Sequence, residues 1–238
     1  MQRNNTRMKK EEKIWVLSLG GSRIVPEENG VDYKFIERFK KIIEKHPSKK
    51  FVVITGGGTT AREYIKGLKN LKKGIKKQSM EGIIITRLHA DLLSKVFGKR
   101  ANEKIPKSMK EVKNMLKRNQ VVFCGALRWK PHQTSDGTSA ELASFLKAPF
   151  INITNVRGMY TSNPKTNKNA KFIKNISWKE FHKKAEKIKF KAGQHFVLDQ
   201  DASKIIMKKK IPTYITNSLS DIDNILSNKP FRGSLIEG

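Results

Sequence analysis

The sequence predicts an α/β fold: a three-layer αβα sandwich about a mostly parallel central sheet. Three observations carry that reading. Short apolar runs with strand character alternate with helix-period segments almost throughout the 238 residues. Two of those runs, over 13–19 and 51–55, pass directly into glycines, Gly20-Gly21-Ser22 and Gly56-Gly57-Gly58. The 37% of hydrophobic residues come in clusters, and none approaches the ~20 apolar residues that a bilayer-spanning helix needs.

The elements follow in order. A strand over 13–19 and its glycine turn precede a helix over 32–45, whose Ile36, Phe39 and Ile43 share one face and which His46-Pro47-Ser48 closes. A strand over 51–55 and the second glycine turn lead to a helix from about 60, where Thr60 and Glu63 have capping-box spacing. Residues 66–79 read as a lysine-rich helix end and loop. The next helix, 80–97, carries Ile84, Leu88, Leu92 and Val96 as its expected buried face. A helix over 107–118, a strand over 120–124 and a loop over 125–135 come next. A helix over 137–146 has Thr138 and Glu141 at capping-box spacing, and a strand over 149–153 runs into Thr154-Asn155. Residues 154–176 read as a long functional loop, after which Ser177 and Glu180 cap a short helix. A helix over 196–209, with Val197, Ala202, Ile205 and Ile206 inward, precedes a strand over 211–215, a helix over 220–227 and a last strand over 234–237. No repeat or linker divides the chain, so residues 13–238 read as one domain behind a flexible basic tail over 1–12.

Lys and Arg number 50 against 21 Asp and Glu, a net charge of +29. Such a balance attracts nucleotides, nucleic acid or anionic surfaces. The lysines are spread over every predicted helix, which favours a solvated basic surface over a nucleic-acid patch, and no membrane partner is expected. The single cysteine, Cys124, ends the apolar run 121–123, reads as a buried strand residue and excludes an intrachain disulfide. The polar, basic N-terminus lacks an apolar signal core, so a cytoplasmic setting is expected.

A strand that ends in glycines and hands over to a helix makes a phosphate cradle. Glycine lets backbone N–H groups approach an anion, and the helix start adds partial positive charge. Two cradles predict two phosphate-bearing groups held side by side, the geometry of phosphoryl transfer to a small acceptor. Neither turn has Walker A spacing or the Gly-x-Gly-x-x-Gly pattern. Arg62, one turn into the second helix, can fold its planar guanidinium back onto phosphate oxygens. The loop Pro131-His132-Gln133-Thr134-Ser135-Asp136-Gly137 offers amides and hydroxyls for a second anion or a base edge. Thr154, Asn155 and Tyr160 occupy the carboxyl edge of the sheet, where open α/β sheets bind ligands. No set of protein metal ligands is predicted.

Taken in order, these segments resemble the amino acid kinase superfamily, whose fold is the carbamate kinase-like αβα sandwich, and within it the archaeal and bacterial type of uridylate (UMP) kinase. The resemblance runs from about residue 14 to 236. It rests on Leu19-Gly20-Gly21-Ser22, Gly56-Gly57-Gly58 with Ala61-Arg62, Ile85-Thr86-Arg87 and Thr134-Ser135-Asp136. It continues through Ile153-Thr154-Asn155-Val156-x-Gly158-x-Tyr160-Thr161-x-x-Pro164, Ala192-Gly193 and Asp199-x-x-Ala202-x-Lys204-Ile205-Ile206. The resemblance implies transfer of the ATP γ-phosphoryl to UMP with Mg²⁺, in pyrimidine nucleotide supply, by a homohexamer.

By the same resemblance Gly20, Gly21 and Ser22 hold the transferring group, while Gly58 and Arg62 meet the ATP phosphates. Thr154, Asn155, Tyr160 and Asn163 line the rest of the ATP site, and Arg62 and Asn155 are the expected catalytic residues. Gly57, Ser79 and residues 131–137 are expected to bind UMP. The sequence departs from the family at Ser18, where bacterial relatives carry lysine, and at Ser79, Arg157 and Asn163, where relatives carry aspartate; Glu81 lies close to Ser79. The alternatives are an isopentenyl phosphate or other small-acceptor kinase of the same superfamily, a non-catalytic nucleotide- or anion-binding relative, and a nucleic-acid-associated regulator.

Overall fold

The computed structural model describes residues 13–26, 30–131, 133–162, 164, 166–187 and 198–238; the expected tail over 1–12 lies outside them. The chain begins with β1 (Ile14–Leu19), α1 (Gly21–Ile24), α2 (Tyr33–Glu44) and β2 (Lys50–Thr55). Then come α3 (Gly58–Asn70), α4 (Ile75–Phe97), α5 (Met109–Met115), β3 (Val121–Cys124), α6 (Ser135–Leu146) and β4 (Phe150–Ile153). The last part holds β5 (Met159–Tyr160), β6 (Phe172–Ile173), β7 (Asn175–Ile176), α7 (Trp178–Glu186), α8 (Gln200–Lys209), β8 (Thr213–Thr216), α9 (Leu219–Leu226) and β9 (Ser234–Ile236).

Seven strands form one sheet in the order β3-β2-β1-β4-β8-β9-β7, while β5 and β6 make a separate antiparallel pair. Each pairing in the large sheet is parallel except β8 with β9. Parallel strands are covered on both faces, which is why β1 to β4 read as continuous apolar runs. Alternation along β1 feeds two cores. Trp15, Leu17 and Leu19 pack with Phe35, Phe39 and Ile43 of α2, Leu93 and Phe97 of α4, and Ile222 of α9. Val16 turns to the other face, among Val112 of α5, Leu142 of α6, Phe181 of α7 and Ile206 of α8. The sheet order puts the carboxyl ends of β2, β1, β4 and β8 in one row.

Most expected elements appear within a few residues of their predicted bounds, including the Ser177–Glu180 capping box. Cys124 is a buried strand residue, as expected, and burial pushes its thiol up to about 12. Four expectations are corrected. α3 opens at Gly58 with Gly57 as its cap and no side-chain cap bond, so Thr60 and Glu63 lie inside the first turns and form no capping box. α6 opens at Ser135 under Thr134, whose side chain accepts from the Asp136 N–H, so Thr138 and Glu141 are not its cap either. The loop expected over 66–79 is mostly helix, with α3 reaching Asn70 and α4 starting at Ile75.

The fourth correction concerns the buried side of α4. Of the four residues expected inward, Leu92 and Val96 pack against the core, but Ile84 and Leu88 are 50% and 56% exposed, whereas Ile83, Thr86, Ala90, Leu93 and Phe97 are buried. Two stripes compete on this helix. The one that wins includes small or hydroxyl side chains that let α4 come close to β2 and β3. Within the stretch expected as loop, Met159–Tyr160 and Phe172–Ile173 pair, and Asn175–Ile176 joins the large sheet. Val197, expected inward on α8, lies outside the described residues.

Candidate active site

The two glycine turns interlock, backbone on backbone. The Gly56 N–H donates to the Leu19 carbonyl at 2.9 Å, and the Gly20 N–H donates to the Ile153 carbonyl at 3.0 Å. A Cβ at Gly21 would sit 2.2 Å from the Gly58 nitrogen, and one at Gly58 would sit 2.5 Å from the Gly21 carbonyl carbon. Gly58 also has φ +59, a conformation that side chains resist. Glycine is therefore required by this contact. Sequence reasoning placed two cradles near each other, and the structure puts them in contact.

Each turn opens a helix whose first turn carries no acidic residue and whose cap supplies no side-chain bond. The first N–H groups of α1 and α3 therefore have no side-chain cap, and the two helix starts lie against each other. An anion there satisfies orphan donors and meets the positive end of α3. Arg62 lies in the first turns of α3, with Nη2 3.0 Å from Thr59 Oγ1. That contact keeps the guanidinium at the N-terminal end of the helix.

The second turn is anchored from behind by α4. The buried His89 has its Nδ1 2.8 Å from the Gly56 carbonyl. A carbonyl only accepts, so Nδ1 carries the proton. Burial lowers the His89 pKa and the Gly56 bond opposes that shift, which keeps the ring neutral near pH 7. The Thr55 hydroxyl donates to the Thr86 carbonyl at 2.7 Å, and Thr86 Oγ1 accepts from the Ala126 N–H at 3.0 Å. Arg87 donates to the carbonyls of Ala126 and Leu127. Thr86 and Arg87 thereby tie the start of the loop after β3 to α4. A Cβ on Gly57 would lie 3.7 Å from the Gly82 carbonyl, which puts this turn one helical turn from Ser79 on α4.

The loop into α6 closes the other side. The Ser18 hydroxyl on β1 donates to Asp136 Oδ1 at 2.8 Å, across 118 residues of sequence. Thr134 donates its N–H and its hydroxyl to Asp199 Oδ2, and Asp199 Oδ1 accepts from the Ala202 N–H to cap α8. Asp136 keeps part of its surface accessible, yet its carboxyl is enclosed by protein. Desolvation, and then the charge of Asp199, push its pKa up to about 7 against the opposing Ser18 bond. Gln133 lies across Gly137, where a Cβ would meet its Cγ at 2.5 Å. Pro131 is exposed at the loop tip, and His132 lies outside the described residues.

Along the β4 edge, the Thr154 N–H donates to the Thr216 carbonyl at 3.0 Å, and its hydroxyl is 3.4 Å from Asn155 Oδ1. Tyr160 stands edge-on to Phe172 with ring centroids 5.5 Å apart, and it remains partly accessible. Arg157 donates to the Arg232 carbonyl at 2.8 Å and lays its guanidinium over Phe172 at 4.6 Å. Asn163 lies outside the described residues. The structure thus brings Gly20, Gly21, Ser22, Gly57, Gly58 and Arg62 to one patch, the adjoining starts of α1 and α3. Asp136 is joined to it through Ser18, and Thr154 and Asn155 flank it on the neighbouring strand.

A sequence profile described as the Amino acid kinase family matches residues 13–217. The chain belongs to the amino acid kinase family. It is similar to the uridylate kinase of Archaeoglobus fulgidus, with 38% identity over 202 residues, which cover 84% of this chain and 89% of that one. The uridylate kinase of Methanocaldococcus jannaschii is 32% identical over 227 residues, covering 94% and 99%. The crystal structure of the Archaeoglobus fulgidus uridylate kinase superposes with a TM-score of 0.80 at 34% identity, covering 93% of this chain and 99% of that one.

In this family member, sequence reasoning left three contributing residues without a role: Ser18, His89 and Asp199. Ser18 was visible only as a departure from the family. The spacing of Asp199 and Ala202 is that of an N-cap and its acceptor turn, a signal available before the structure. Nothing local marks His89, whose partner Gly56 is 33 residues away.

Proposed function

We propose that this chain transfers the γ-phosphoryl group of ATP to UMP, giving UDP and ADP. The observation that carries this reading is the interlocked pair of glycine turns, which sets two uncapped helix starts side by side. The similarity to uridylate kinases over nearly the whole chain supports UMP as the acceptor. In this reading Gly20, Gly21, Ser22, Gly58 and Arg62 receive the ATP phosphates, with Thr154, Asn155, Tyr160 and Asn163 along the rest of the nucleotide. Gly57, Ser79 and residues 131–137 receive UMP.

An oxygen of the UMP phosphate forms the new bond to the γ-phosphorus. The bond from that phosphorus to the bridging oxygen breaks, and ADP leaves with the electron pair. Little covalent chemistry falls to the protein. Its work is to hold two anions in line and to neutralise charge through N–H groups and the Arg62 guanidinium. ATP fits the site because its phosphates supply acceptors for donors that no side chain caps. Mg²⁺ fits as MgATP, since this ion takes most of its ligands from phosphates and water and needs only one or two carboxylates; Asp136 is the candidate, since Asp199 spends both oxygens on Thr134 and Ala202. When bound it draws charge from the phosphate oxygens.

We also infer a homo-oligomer, a hexamer by the resemblance. Met80, Ile84 and Leu88 leave an apolar stripe of α4 in water, beside the exposed Tyr64 of α3.

The test is ADP release with MgATP and, in turn, UMP, CMP, AMP or isopentenyl phosphate. Selective turnover with UMP is expected. Selective turnover with isopentenyl phosphate, or nucleotide binding with no turnover at all, overturns the proposal.

A further inference from the structure

Apart from the glycine turns, the described residues form a cationic concavity beside α1. It is a groove of about 630 Å³ between α2 and the start of α9. One wall is α2, where Arg38, Lys41 and Lys45 fall at i, i+3 and i+7 and so share a face. The other wall is Asn217, Ser218, Leu219 and Ser220, at the uncapped start of α9. Arg23 of α1 closes the end nearest the active site, with its guanidinium 4.7 Å from the Phe35 ring. Phe35, Ile42 and Leu219 give the groove an apolar floor.

The charges are unbalanced. Four cations line the groove against one carboxylate, Asp223, which is engaged by Lys45 and His46 at 2.9 Å each. Asp32 lies within electrostatic reach of Arg23, but its Oδ1 is spent accepting the Phe35 N–H as the cap of α2. Asp221, in the first turn of α9, is buried and turned to Thr216 and Arg232. Arg38 donates Nε to the Lys34 carbonyl, which uses a donor and leaves its charge unpaired among the described residues. The Nε of Arg23 is buried and has no hydrogen-bond partner among them, and burial lowers the pKa of this guanidinium. An ordinary solvated lysine face does not draw an arginine inward and leave a donor unmet.

We propose that this groove is a second ligand site, which takes a small oligophosphate anion between α2 and the first turn of α9. Arg38 and Lys41 neutralise the phosphate chain. Arg23 donates from the buried end, and one hydroxyl of the Ser218–Ser220 pair, whose oxygens are 2.7 Å apart, donates from the far wall. Volume and apolar floor leave room for a nucleoside on the chain. The site is separate from the ATP and UMP positions, but Arg23 follows Ser22 directly, so an occupant would bear on the first glycine turn.

The test is calorimetric titration of the full chain with inorganic tripolyphosphate. Two classes of site are expected. Arg62→Ala should remove one. The double variant Arg38→Glu, Lys41→Glu should weaken the other at least tenfold and leave the first intact; both residues are exposed, so folding is not at stake. A charge-matched variant at exposed positions of α7, Lys183→Glu with Lys184→Glu, should leave both classes unchanged. If that control weakens the second class equally, the binding is diffuse attraction to a basic surface and the site is refuted. If no class depends on Arg38 and Lys41, the groove's charge is balanced within the chain and the proposal falls. Repeating the titration with UTP separates the sources: tighter UTP binding assigns the occupant to nucleotides, and tighter tripolyphosphate binding to the bare phosphate chain. Absence of any Arg62-dependent class, with the Arg38- and Lys41-dependent class present, would count against the catalytic reading and leave the groove standing.

Discussion

Replacing Asp136 by asparagine should stabilise the protein at and above neutral pH, with a gain that shrinks through mild acid and vanishes below about pH 4. The cause is local. The carboxyl is enclosed, receives one hydroxyl bond from Ser18, and feels the second carboxylate of Asp199 through their shared partner Thr134. Its pKa rises from 3.8 to about 7 on folding. Between about pH 4 and pH 7 the folded protein therefore binds more protons than the unfolded chain, and stability falls as pH rises. Below that window both states are protonated and the penalty is absent. Above it both are ionised and the penalty is complete.

At about 1.4 kcal/mol for each pKa unit, the shift caps the penalty at roughly 4 kcal/mol. Residual accessibility and local relaxation reduce the expected gain to about 1–3 kcal/mol. Asparagine keeps an oxygen to accept from Ser18 and carries no charge. The assay is urea unfolding of both proteins at pH 5, 6, 7 and 8, followed through the buried Trp15. Subtracting the two curves cancels the other titrating groups. The difference should grow from pH 5 to 7 and then level off. A difference that does not vary with pH, or an asparagine variant that is less stable at pH 8, would refute the reasoning.

Other consequences follow from the same contacts. Arg62→Ala should lower kcat/KM about tenfold or more, or about 1.4 kcal/mol of transition-state stabilisation, while an unchanged value removes Arg62 from the mechanism. Asp136→Ala should raise the KM for UMP more than that for ATP, and equal losses would count against an acceptor-side role. Gly21→Ala places a Cβ against the Gly58 backbone and should cost about 3 kcal/mol in chemical denaturation, together with activity. Gly67→Ala, on the exposed side of α3 with nothing within 4 Å of the new Cβ, should instead stabilise by about 1 kcal/mol. Leu88→Glu should lower the mass seen by light scattering if the exposed stripe of α4 is an oligomer contact.

The fold was legible wherever local chemistry decides it. β1 and β2 declare themselves as apolar runs that stop at glycines, and those glycines are needed because the two backbones touch. The Ser177 capping box is likewise a short-range signal. Where two local patterns compete, tertiary packing chooses. On α4 the stripe of Ile84 and Leu88 is the more apolar, yet Thr86 and Ala90 face inward because α4 must approach the loop after β3 and the second glycine turn. The starts of α3 and α6 were misplaced for a related reason. Both helices start earlier than the hydroxyl patterns suggest, so Thr60 and Thr138 fall inside the first turns and not at the cap.

The candidate site divides in the same way. The phosphate-facing backbone was readable because glycine and helix polarity act locally. The Ser18–Asp136 bond, the His89 anchor under Gly56 and the groove walled by α2 and α9 join residues far apart in sequence. They became visible only when the sheet order brought their elements together.

Product identification by ³¹P NMR tests the central claim most directly. The full chain, given MgATP and UMP, should produce the β-phosphorus resonance of UDP in step with that of ADP, one for one. Formation of ADP with inorganic phosphate and no UDP, or no change in the spectrum from folded protein, would contradict the account.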